Sequence, residues 1–186
     1  MSDVPDLADP AAFERFYRAE APTVLRWVIR LGGPLLDAED VTHDVFQVVW
    51  KRRAQLTHGE PRAWLYGITR NVVANKRRRA RLRQFVGLQT LPPVPDPGPG
   101  LDARMEALRR RRWIQDALET LSEKHREAIV LVDLEEYSAV EAAALMGVSV
   151  GTVYSRLHHG RKRFSAALSA RRQDLEQSLR RVELKG

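Results

Sequence analysis

Residues 138–163 read SAVEAAALMGVSVGTVYSRLHHGRKR, and the class of the fold hangs on them. They spell a helix, a three-residue turn and a second helix. Ala143 is small, as two closely crossing helices require, and Gly147 permits a left-handed turn. Met146, Val148, Val153 and Leu157 are spaced to close a core between the two helices. The second helix then turns Thr152, Tyr154, Ser155, Arg156, His158, His159 and Arg161 outward. Those side chains are donors, acceptors and cations suited to base edges and phosphates. An ordinary helical hairpin with a polar outside has the same periodicity. The Gly-Val-Ser turn and the basic tail Arg161-Lys162-Arg163 favour DNA.

The rest of the chain repeats the helical period. Upstream, helices are expected over residues 113–120 and 122–133, and the recognition helix should run over 149–170, with Ser122 and Ser149 as caps. In the first half, Phe13, Phe16, Tyr17, Val24, Trp27, Val28 and Leu31 recur at spacings of three and four, with Pro22 where a break would fall. Gly32-Gly33-Pro34 stops that helix. Asp37 can cap the next, through about Arg53, and Pro61 can open a third. Between the halves, residues 91–100 read LPPVPDPGPG, which is neither helix nor ladder and spans roughly 30 Å as a polyproline-like spacer. The expectation is all-α: two small helical domains joined by a Pro/Gly-rich linker, the C-terminal one containing a helix-turn-helix.

The chain of 186 residues carries a net charge of +7, and its placement is uneven. Residues 1–75 are net −1, residues 76–112 net +8 and residues 113–186 net 0. Within the last part, residues 113–141 hold 2 basic and 8 acidic side chains, and residues 142–186 hold 9 and 3. Such asymmetry orients a protein in the field of a nucleic acid. With no cysteine, disulfides, thiolate metal sites and cysteine nucleophiles are excluded. No HExxH pair, phosphate loop or dinucleotide fingerprint occurs, so neither an enzyme nor a cofactor nor a metal site is expected. No stretch reaches the length of a membrane span, and the acidic N-terminus lacks the apolar core of a signal peptide, so the expectation is a cytoplasmic protein.

Two further segments complete the pattern. Residues 64–83, WLYGITRNVVANKRRRARLR, interleave aromatic, amide and cationic side chains and hold six basic residues among the last eight. That mixture suits a splayed single strand, where bases stack and phosphates are neutralised, although a core helix with a solvated basic end reads the same way. Residues 37–53, DAEDVTHDVFQVVWKRR, set Asp40, Asp44, Gln47 and Lys51 in a polar stripe opposite a row of valines. A solvated face explains such a stripe, as does a docking surface for a basic protein.

In this order the three segments resemble the sigma-70 family of bacterial transcription initiation factors, in its short extracytoplasmic-function group. The resemblance covers about residues 10–170. It implies that residues 1–83 form a region 2-like domain for core polymerase and −10 element binding, 84–112 a flexible Pro-rich and basic linker, and 113–170 a region 4-like domain for the −35 element. Residues 171–186, with Leu175, Leu179 and Val182, fall outside it as a helical extension of unknown role. The family's polymerase-docking helix maps onto Asp37, Glu39, Asp40, Asp44, Gln47, Trp50 and Lys51, facing the β′ clamp. Its −10 helix maps onto Trp64, Arg70, Asn71, Asn75, Lys76, Arg77, Arg78 and Arg79, with Asn71 and the loop 56–60 forming a pocket for a flipped base. On the recognition helix, Tyr154, Ser155, His158 and His159 would read bases, and Thr152, Arg156 and Arg161 would hold phosphates. Core polymerase (β′ and β subunits), promoter DNA and an anti-sigma factor are the implied partners, with no membrane insertion. Thr42-His43 and Ala139-Val140 depart from the residues usual in the family. The competing class is a homodimeric helix-turn-helix repressor or response-regulator-like protein, which would bind a palindrome without polymerase.

Overall fold

Short polar residues set where the helices begin. The computed structural model describes residues 6–56, 60–85 and 102–183. The Asp9 carboxylate accepts hydrogen bonds from the N–H groups of Ala11 and Ala12 and opens α1 (Pro10–Gly32). Asp37 does the same for α2 (Ala38–Arg52), accepting from Glu39 and Asp40. Such caps satisfy N–H groups that have no partner within the helix. Pro61 opens α3 (Pro61–Phe85), its fixed φ already helical. Pro22 does not break α1. It removes one N–H from the ladder, yet Thr23, Val24, Trp27 and Val28 beyond it are buried, and that packing carries the helix past the lost bond.

The second half holds α4 (Asp102–Glu119), α5 (Glu123–Ala128) continuing as a π-helical segment (Ile129–Leu134), α6 (Ala139–Met146) and α7 (Val150–Glu183). Ser122 stands at the start of α5 but makes no side-chain capping bond. Two boundaries differ from the sequence reading. The helix expected from Trp113 begins at Asp102, inside the stretch assigned to the linker, because Ala, Met, Leu, Glu and Arg there are good helix formers. The last helix runs on to Glu183, so residues 171–183 extend α7. The Pro-rich run 91–100 lies outside the described residues.

The helix–turn–helix forms as expected. Ser138 and Glu141 make a reciprocal capping box at the start of α6, and Gly147 ends it at φ 65° and ψ 40°. The Val148 N–H then reaches back to the Ala143 carbonyl at 3.0 Å. Ser149 caps α7, its hydroxyl accepting from the Thr152 N–H.

Among the described residues there is no strand, and the fold is all-α. One apolar core threads both halves, with Trp27, Val45, Leu65 and Tyr66 from the first and Leu118, Ile129, Leu131 and Val153 from the second. The α6 helix lies against α3, and the end of α1 meets α4 and the π-helical segment. The two modules are thus packed face to face. None of the described helices is long and apolar enough to cross a membrane.

Candidate nucleic-acid interface

Packing decides which side of α7 faces out. Val153 and Leu157 are buried between α6 and α7, which turns Tyr154, Ser155, His158 and His159 to solvent, Tyr154 at 62% exposure. The half-buried Thr152 shares a hydroxyl hydrogen bond of 2.8 Å with Ser149. Two cations of the same helix are already engaged. Arg161 forks onto Asp133 at 3.0 and 2.6 Å, which holds its guanidinium above the ordinary arginine range. Arg156 leans toward Glu127, 3.9 Å away.

Lys124 and His125 of α5 join Ser149, Gly151, Thr152, Ser155, Arg156 and His159 in lining a groove of about 530 Å³ beside the outward face of α7. Burial, reinforced by the nearby charges of Lys124, Arg163, His159 and Arg156, pushes the His125 imidazole below its usual pKa. Its Nδ1 is buried without a partner. Sequence reasoning passed over these two residues, because only the three-dimensional approach of α5 to α7 places them beside the recognition helix.

On α3 the inward side chains include Leu65, Ile68 and Val73, while Asn71, Asn75, Arg78 and Arg79 form an exposed stripe. Trp64 is half-buried against the core. The Arg78 Nη2 donates to the side-chain Oδ1 of Asn75 at 3.1 Å, tying the stripe together. Lys76 turns the other way and pairs with Asp44 of α2. Of the loop 56–60, Leu56 is buried and Glu60 exposed; residues 57–59 lie outside the described residues.

Arg77 differs from its neighbours. Read in sequence as one of a run of phosphate-facing cations, it lies inside the molecule, 2% exposed. Seven residues on from Arg70 it returns to the same inward side of α3. Its Nη1 donates to the carbonyls of Leu31 and Gly32 at 3.1 and 2.7 Å, the C-terminal end of α1. A cation is stabilised by the partial negative charge of a helix C-terminus. The same guanidinium grips Glu119 of α4 through two bonds of 2.7 Å. In this structure Arg77 is therefore a joint between the halves and cannot reach a phosphate.

Other contacts span the same seam. Arg126 donates to Leu118 O at 2.8 Å and to Leu121 O at 3.2 Å, closing the end of α4, and approaches Leu31 O at 3.5 Å. Burial and the neighbouring Arg77 lower its pKa to about 10. Glu119 is pushed up by burial, but hydrogen bonding from Arg77 and the charges of Arg126, Arg77 and Arg81 outweigh that and hold it below the ordinary carboxylate range. Arg70 comes within 3.6 Å of Glu127, while Arg26 and Arg30 meet Glu135 at 3.0 and 2.9 Å. Burial raises the Glu127 pKa despite Arg70 and Arg156 beside it.

The third surface is on α2. Glu39, Asp40, His43, Gln47, Trp50 and Lys51 make one exposed stripe, with Asp37 at its head and the half-buried Asp44 on its flank. His43, the departure from the family pattern, sits in the middle of it. At its far end Trp50 packs edge-on against Phe13 at 4.8 Å and lies under the Arg53 guanidinium at 4.0 Å. Among the described residues no group of His, Asp and Glu side chains is arranged to hold a metal ion. What these surfaces offer is recognition of anions, bases and a partner protein.

Comparisons with known proteins agree with that chemistry. Residues 16–83 match the model for sigma-70 region 2, and residues 111–164 match that for sigma-70 region 4. The chain is 34% identical over 183 residues to the ECF RNA polymerase sigma factor SigE of Mycolicibacterium smegmatis, covering 93% of this chain and 68% of that protein. It is 32% identical over 154 residues to the ECF RNA polymerase sigma factor SigL of Mycobacterium tuberculosis, covering 82% and 86%. Among solved structures it is similar to the sigma factor RpoE of Bartonella quintana in complex with the anti-sigma factor NepR. That match has a TM-score of 0.62 and 26% identity, over 84% of this chain and 96% of that one. The first half is thus a region 2 rather than the sensing or dimerising module that a repressor would carry there. Two family regions in their proper order, with relatives of the same group matched over most of the chain, place this chain in the extracytoplasmic-function group of the sigma-70 family of RNA polymerase sigma factors.

Proposed function

We propose that this initiation factor, which directs RNA polymerase to promoters, reads the −35 element with Tyr154, Ser155, His158 and His159 of α7. On the same reading Asn71 and Asn75 of α3 meet the melted −10 strand, and the stripe of α2 docks on polymerase core. The observation that carries this is the outward placement of amides and cations on α3 and of mixed donors on α7, with each helix fixed from behind by the core. Taking a base out of the stack costs a few kcal/mol, which hydrogen bonds from Asn71 would offset. Arg78 and Arg79 would neutralise phosphates beside it. The relatives solved with partners, RpoE with the anti-sigma factor NepR and CnrH with the cytosolic domain of CnrY, support a regulatory protein partner for this chain as well.

The test is transcription by reconstituted holoenzyme. Asn71→Ala should impair open-complex formation and be rescued on a template already melted at −10. His159→Ala should relax preference at one or two −35 base pairs, each good contact being worth about 1–3 kcal/mol. Asp40→Lys should abolish co-elution with core while helical content is unchanged; because Asp44 also holds Lys76, Asp40 is the cleaner site. Unaltered promoter selection by both α3 and α7 variants would overturn the reading.

A further inference from the structure

A cleft of about 330 Å³ opens where α3, α5 and the start of α7 meet. Small-molecule sites run from about 300 to about 1,000 Å³, so it is large enough to hold a ligand. Its lining is of two kinds. Leu31 at the end of α1, Val73 and Ala74 of α3, and Met146 and Val148 at the turn of the helix pair make an apolar part. Arg70, Arg77, Lys124, Arg126 and Arg156 make a cationic part, against the carboxylates of Glu123 and Glu127. Even with Glu119 set against Arg77, the cleft stays positive.

Two of these cations are committed. Arg77 and Arg126 donate to the carbonyls that end α1 and α4. The other three have donors to spare. Arg70 and Arg156 reach Glu127 only at 3.6 and 3.9 Å, too long for hydrogen bonds. Lys124 is exposed, and among the described residues no carboxylate pairs with it. A guanidinium carries five N–H donors and an ammonium three, more than one carboxylate can absorb. Phosphate oxygens meet a guanidinium fork through two parallel bonds. Asn71, on the same lining, presents both a donor and an acceptor.

We propose that this cleft is a binding site for a nucleoside polyphosphate, with its ring on Leu31, Val73 and Met146, the ring edge at Asn71, and its phosphates at Arg70, Lys124 and Arg156. A simple inorganic anion would leave the apolar part idle, and an uncharged ring would leave the cations unanswered. Both halves of the chain supply the site, α3 giving Arg70 and Asn71, and α5 and α7 giving Lys124 and Arg156. A bound nucleotide therefore bridges them, and the melting temperature of the chain should rise with nucleotide concentration.

The test is calorimetric titration of the full chain with GTP, ATP and inorganic triphosphate at about 0.15 M salt, where diffuse attraction between surface charges is screened. The nucleotides should bind at one site per chain. Inorganic triphosphate, which has the charge without the ring, should bind at least about tenfold more weakly. Lys124→Gln should weaken nucleotide binding about tenfold, as loss of a charged hydrogen bond does. Ala74→Glu, which puts a carboxylate into the cleft, should abolish it. Arg83→Gln, exposed on the same α3 but outside the cleft, should leave it unchanged. Absence of saturable binding to the unaltered chain overturns the proposal. So does triphosphate binding as tightly as nucleotide, or an equal loss in Arg83→Gln, which would mean attraction to net charge alone. Should Ala74→Glu not fold, Lys124→Gln decides, because that side chain is exposed, and unchanged affinity there also overturns the site.

Discussion

Gly33 shows how much one residue can settle. Its φ of 76° and ψ of −175° lie in a region reserved almost entirely for glycine, and a Cβ there would stand 2.3 Å from Glu119 Oε1 and 3.0 Å from Arg77 Nη1. The backbone and the seam therefore exclude a side chain together. Gly33→Ala should lower stability by at least about 1–3 kcal/mol, read from urea denaturation. Gly147 has a left-handed φ but open space around its Cβ position, so Gly147→Asn should be close to neutral in the same experiment. His125 offers a pH readout. The fold depresses its pKa below 6.5, so its contribution to stability is full above that value and is lost as pH falls through the lowered one. Melting temperature should drop as pH falls below about 6.5, and His125→Gln should flatten part of that drop. An unchanged slope would locate the titration elsewhere.

At the level of elements, the second half carries one strained residue and one strong cap side by side. Glu136 holds a φ of 60° just past the π-helical segment, and Glu136→Gly should stabilise the chain by about 0.5–1 kcal/mol by relieving it. Two residues on, Ser138→Ala should cost about 1 kcal/mol by breaking the capping box of α6. Both are checked by shifts of the denaturation midpoint at constant slope. The caps Asp37 and Ser149, the turn at Gly147 and the inward Val153 and Leu157 could be read from sequence, because each depends on residues within one turn of itself. Ser122 reads as a cap in the same way but makes no capping bond, and sequence reasoning passed over the capping box at Ser138. The outward faces of α3 and α7 followed from the same periodicity. The π-helical segment could not be read, since its backbone depends on how Ile129, Val130 and Leu131 pack. Nor could Arg77, whose neighbours in sequence are solvent-facing cations while its partners lie 42 to 46 residues away. The acidic side of the seam looked locally like any solvated helix face.

Over the whole molecule, shared packing should hold the halves together without the connecting chain. A protease site placed within residues 86–101 and cut after folding should leave two fragments that co-elute at low salt, because the apolar core and the Arg77–Glu119 fork both bridge them. Separation of the fragments under those conditions would show that the covalent connection alone keeps them near one another. The length of α7 bears on control from a distance. Its 34 residues make a rod of about 51 Å, with the outward Tyr154, Ser155, His158 and His159 near one end and a tether from Arg171 to Asp116 part-way along. Because the rod is continuous, a protein that grips its far end acts on a lever with Asp116 as fulcrum. Such a grip would swing Tyr154, Ser155, His158 and His159 out of register by torque, without covering any of them.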